Sequence, residues 1–123
     1  MTEIRDEFVH PGPQPNGRQA VDDGLWVIDQ VDNHLYKLDY ETGETLEKLP
    51  TETEHSSGVT LGGGHLWVAS TFTLELVQCN MDGSSVAKYD TPGKGIVAFG
   101  NPDNQRVSGA HGMEWIDDDN MWV

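Results

Sequence analysis

The sequence predicts an all-β protein built from four-stranded antiparallel sheets, and three observations carry that expectation. The stretch Gly64-His65-Leu66-Trp67-Val68-Ala69-Ser70 has a counterpart in Gly24-Leu25-Trp26-Val27-Ile28-Asp29-Gln30, with a shorter third copy in Asn120-Met121-Trp122-Val123. Trp26 and Trp67 lie 41 residues apart, and at that offset Leu25/Leu66, Val27/Val68, Leu35/Leu76 and Asp39/Asn80 also pair. Runs of apolar alternation recur at about ten-residue spacing between Gly, Asn and Asp clusters, with no helical period, which is the pattern of an antiparallel meander. A repeat of this length has the size of one propeller blade, so the fold class is a β-propeller segment of four-stranded antiparallel blades.

Residues 1–17 form the lead-in. Glu3 to Val9 can make a short strand, in the position of the outermost strand of a preceding blade. The proline-rich run His10–Gly17 that follows admits neither helix nor inner strand. Residues 18–50 make the first blade: Arg18–Val21 innermost, then Leu25–Asp29, His34–Asp39 and Thr45–Leu49. Asp22-Asp23-Gly24, Val31-Asp32-Asn33 and Glu41-Thr42-Gly43 separate these strands with residues that tolerate tight-turn backbone angles. Residues 51–91 repeat the plan with Gly58–Leu61, Leu66–Ser70, Leu74–Cys79 and Ser85–Tyr89. Tryptophans at a fixed place in each repeat are expected to pack between blades.

The regularity lapses over residues 92–110, an insertion rich in Gly and Pro of the kind that carries function or none. It resumes in residues 111–123 with the inner strands of a third blade, Gly112–Ile116 and Met121–Val123, around an acidic turn at Asp117–Asn120. Blades bury their faces only against other blades, so two and a half of them leave apolar surface uncovered. Two sources of cover are expected equally: further blades of a longer polypeptide, or a second copy. In the second case a homodimer closes a ring of about six blades, residues 3–9 of one copy lying beside residues 120–123 of the other, with Ile4, Phe8, Met121 and Trp122 at the interface.

Twenty-one acidic against seven basic residues give a net charge of −14. Such a surface repels nucleic acid and anionic lipid, so neither is an expected partner. The lone cysteine, Cys79, has no internal disulfide partner and sits in an apolar strand pattern with no adjacent base, the setting of a buried small hydrophobe. The first residues lack a secretory apolar run and no stretch has membrane-spanning length, so the expected location is cytoplasmic. Asp117-Asp118-Asp119 lacks the spacing of a calcium loop. No serine has a Gly-x-Ser-x-Gly setting and no Gly-x-x-x-x-Gly-Lys cradle is present, which disfavours nucleophilic hydrolase and nucleotide chemistry.

Residues 24–29 (Gly-Leu-Trp-Val-Ile-Asp), 35–43 (Leu-Tyr-Lys-Leu-Asp-Tyr-Glu-Thr-Gly) and 111–115 (His-Gly-Met-Glu-Trp) resemble the blades of virginiamycin B lyase and of gluconolactonase-like propellers of the senescence marker protein superfamily. The resemblance implies an active centre at one mouth of a central channel, with a divalent cation (Mg, Mn, Zn or Ca) held from the innermost strands and a small molecule bound in the channel. Carried onto this sequence, His111 and Glu114 match the lyase pattern, with His55 before the innermost strand of the second blade. His55, His111 and Glu114 are then the implied metal ligands, and His55 and His111 the implied catalytic bases in an elimination or in lactone hydrolysis. The other expectation is a non-catalytic ligand- or protein-binding half-propeller that assembles into a closed ring. Propellers host both, so fold alone does not choose.

Overall fold

A computed structural model describes residues 2–5, 8–94, 98–99, 103, 106–107, 109–117 and 119–123. It is all-β, and every strand pairing is antiparallel. The first sheet has the order β1 (Pro15–Val21), β2 (Gly24–Asp29), β3 (His34–Leu38), β4 (Thr45–Pro50). The second repeats it with β5 (Ser56–Gly62), β6 (His65–Ser70), β7 (Glu75–Cys79) and β8 (Ser85–Asp90). A two-residue ladder joins β9 (Ala98–Phe99) to β10 (Arg106–Val107), and β11 (Glu114–Asp117) pairs with β12 (Asn120–Trp122). Among the described residues there is no helix, and so none long and apolar enough to cross a membrane.

All eight strands expected in the two full repeats are present, with shifted ends. Strand β1 begins at Pro15 rather than Arg18, through an irregular register between the two; proline is acceptable there because a first strand residue need not donate to the ladder. Strand β7 begins one residue late because Leu74 takes a left-handed φ of 60° in the preceding turn. Residues 2–5 and 8–10 form no strand; the expected strand over 3–9 otherwise falls on residues outside those described, as does part of the 92–110 insertion.

Pleating sorts each sheet into two faces. On the first sheet, Trp26, Ile28 and Leu35 point one way and meet Val59, Leu66, Val68, Val77 and Cys79 of the second sheet, giving one core between the sheets. Trp26 is 1% exposed, as expected of a tryptophan packed between sheets. Cys79 is fully buried in this core, and burial pushes its thiol up to about 11. On the opposite face of the first sheet, Val27, Tyr36 and Leu38 form a smaller cluster with Leu25.

Residues 8–14 cross that outer face as a strap. Phe8 lies on Gly43 in the β3–β4 turn, much as Leu49 and Pro50 lie on Gly83 in the β7–β8 turn. His10 packs edge-on against Tyr36 with ring centroids 4.9 Å apart. Asp29, 0% exposed, accepts the Gln14 N–H at 2.6 Å and the Val31 and Asp32 N–H groups at 2.9 and 3.0 Å, tying the strap to the β2–β3 turn. The second sheet has a parallel arrangement: Ser70 Oγ, at the end of β6, accepts the Glu54 N–H at 2.9 Å. The chain thus enters each sheet by hydrogen-bonding to a polar side chain at the end of that sheet's second strand.

Candidate functional site

Strands β1, β5 and β11 lie side by side, and glycine makes the close approach possible. A Cβ on Gly58 would overlap the His111 carbonyl oxygen, and one on Gly17 would stand 2.6 Å from the Gly58 Cα. Gln19, Thr60 and Glu114 occupy the same register position, each opposite a tryptophan of the next strand (Trp26, Trp67 and Trp122). Thr60 links the row: its hydroxyl donates to Gln19 Oε1 at 3.1 Å and accepts the Trp115 N–H at 3.0 Å.

His55 and His111 both stand where the chain enters the first strand of a sheet. His55 holds a left-handed φ of 50°, which only the surrounding contacts make tolerable for a non-glycine residue. Its half-buried ring stacks on Phe72, centroids 4.2 Å apart and planes 12° from parallel. Hydroxyls tie the neighbouring segments together: Ser57 Oγ lies 2.7 Å from Thr71 Oγ1, which donates to the Ala110 carbonyl at 3.2 Å. His111 is exposed, and so is Glu114 on β11.

The metal set implied by family resemblance is not assembled within one chain. Among the described residues no three His, Cys, Asp or Glu side chains gather into a group able to hold an ion. His55 spends its ring face on Phe72, while Glu114 lies on β11, on the face of Trp122.

Two open grooves border the β11–β12 hairpin. One of about 490 Å³ is lined by Trp67, Leu76, Tyr89, Pro92, Asp119, Asn120, Met121 and Val123. The hairpin covers only the inner part of the second sheet, where Trp115 stacks on Trp67 at 5.8 Å. A smaller groove of about 210 Å³ lies on the hairpin's other side, at Gly112, Met113, Glu114, Trp122 and Val123. Of the expected interface residues, Ile4 is 92% and Trp122 72% exposed, Met121 lines the larger groove, and Phe8 rests on its own chain's first sheet.

Sequence reasoning missed Asp29, Gln14 and the Gln19–Thr60 row. The signal was available: at the 41-residue offset Asp29 pairs with Ser70, two small polar residues closing otherwise apolar strands.

No family model matches the chain, and no curated protein matches it. The likeness to the lyase and gluconolactonase-like propellers therefore rests on the three stretches 24–29, 35–43 and 111–115.

Proposed function

We propose that this chain is a non-catalytic binding module of the β-propeller type, two blades and half of a third, which closes into a ring with a second copy and holds a small molecule or a protein segment at the channel. The supporting observation is that the chain enters each sheet in the same way. Phe8 lies on Gly43 as Leu49 and Pro50 lie on Gly83, and the entry to each sheet bonds to Asp29 or to Ser70. Repetition of a contact, beyond repetition of sequence, is what a ring of blades requires.

The competing reading is a metal-assisted lyase or lactone hydrolase using His55, His111 and Glu114, with the remaining ligands supplied by a facing blade. Elemental analysis of the purified protein, followed by melting curves with added Mg, Mn, Zn or Ca, separates the two. The binding-module reading expects no stoichiometric divalent cation and an unchanged melting temperature. One metal per chain that is lost in His111→Ala would overturn it in favour of the lyase or lactonase.

A further inference from the structure

We propose that Asn16 is a self-modifying position: the Gly17 backbone nitrogen attacks the Asn16 side-chain carbonyl carbon, and the isoaspartate that results loosens β1 from β5.

Two demands of the fold bring this pair of residues together. The first is the close approach of β1 to β5. A Cβ at residue 17 would stand 2.6 Å from the Ser57 carbonyl oxygen and 2.9 Å from the Val59 nitrogen, so only glycine fits there. The second is a β-bulge. Asn16 and Gly17 lie between the pairs Pro15↔Asp29 and Arg18↔Val27, so two residues of β1 face Ile28 alone and one of them leaves the ladder. The same irregularity recurs 41 residues on, where Ser57 is passed over between Ser56↔Ser70 and Gly58↔Ala69. Ser57 is buried there, its hydroxyl 2.7 Å from Thr71 Oγ1. Asn16 takes that place in the first sheet but is exposed, with its amide nitrogen donating to Gln30 Oε1 at 2.7 Å.

An exposed asparagine at a bulge, followed by a residue without a Cβ, leaves its amide open to the next nitrogen. The Gly17 nitrogen forms a bond to Asn16 Cγ and the Cγ–Nδ2 bond breaks. Nδ2 leaves as ammonia with the proton of the Gly17 N–H, and a five-membered succinimide remains. Water then adds at one of its two carbonyl carbons. Opening on one side gives aspartate; opening on the other gives isoaspartate, whose main chain runs through Cβ. The extra methylene enters where β1 has no slack, so Gly17 is carried off Gly58 and the Gln19–Thr60 bond is pulled apart.

Other positions lack this combination. The nitrogen that would attack Asn33 belongs to His34, and its N–H is held by Asp32 Oδ1 at 2.9 Å. Met81 and Met121, after Asn80 and Asn120, carry side chains that crowd the ring closure. Asp23 and Asp82 also precede glycine, but the Lys37 ammonium on Asp23, and the Ser84 N–H and hydroxyl on Asp82, keep them as carboxylates, which resist attack.

Ageing the full chain in warm, mildly alkaline buffer tests this, with acid gained at each asparagine read by peptide mass mapping and isoaspartate by an isoaspartate-specific methyltransferase. Asn16 converts at least about tenfold faster than Asn33, Asn80 or Asn120, and isoaspartate is the larger product. The aged fraction, separated by anion exchange, melts below fresh protein. Asn16→Asp carries the new charge without the extra methylene and melts like the parent. Asn16→Gln, whose longer side chain does not close the five-membered ring, keeps its melting temperature through the same ageing. An Asn16 that retains its amide overturns the inference. So does an isoaspartate fraction that melts like the parent, or an Asn16→Asp variant that melts as low as that fraction. None of these results depends on copy number or metal content.

Discussion

Removing the Asp29 carboxylate takes the acceptor from three backbone N–H groups, those of Gln14, Val31 and Asp32, at a site with no access to water. An unsatisfied buried donor costs about 1–3 kcal/mol. Asp29→Ala is therefore expected to lower unfolding stability by about 3 kcal/mol in urea titrations, while Asp29→Asn, which keeps one acceptor oxygen, loses less. A loss below about 0.5 kcal/mol for the alanine variant would mean that the strap is not fastened there. Ser70 has the equivalent place with a hydroxyl, and Thr73 donates to it at 2.7 Å, so the second entry is held by a neutral group. An aspartate next to Gln30 and Asp32 reads as an ordinary turn residue, and only its 41-residue pairing with Ser70 marks either role in the sequence. Its partner Gln14 lies in a proline-rich run that reads as loop, and only the path of the strap brings the two together.

At the level of strands, legibility was high, and the reason is local. Alternation fixes which residues share a face, and Asp, Asn and Gly mark where a strand must turn. Asp39 shows this: it accepts the Glu41 and Thr42 N–H groups and the Thr42 hydroxyl, which hold its carboxyl below the ordinary value. Asp82 and Asp117 do likewise at the later turns. The 3–9 strand is the exception, since a strand needs an edge to pair with and alternation cannot say whether one is present. The approach of β1, β5 and β11 was equally invisible, because a glycine in the first strand of a sheet looks like one more turn residue. Gly58→Ala puts a methyl group into the His111 carbonyl oxygen and forces β11 away from β5. The variant is expected to lose about 2 kcal/mol or more, with a red-shifted emission as Trp115 leaves Trp67. An unchanged melting curve and spectrum would show that β11 does not depend on β5.

For the molecule as a whole, the charge of −14 opposes any contact between two copies. Screening should therefore help association: between about 0.01 M and about 0.15 M salt the Debye length falls from about 30 Å to about 8 Å. The dimer fraction that the proposed ring requires is expected to rise over that range in sedimentation experiments. Association that weakens steadily from the lowest salt upward would mean that local attraction outweighs the net repulsion.

The sequence by itself determined the sheets. In the two full repeats, strand number, order, turn positions and the inter-sheet place of Trp26 all follow from a period of two residues inside a repeat of 41, and both are properties of neighbouring residues along the chain. Tertiary structure alone decided what each face meets. The strap folds onto its own first sheet, and His55 stacks on Phe72 instead of joining His111 and Glu114. Those outcomes depend on contacts between residues far apart in the chain, where shape and burial select the partner and no periodicity records it.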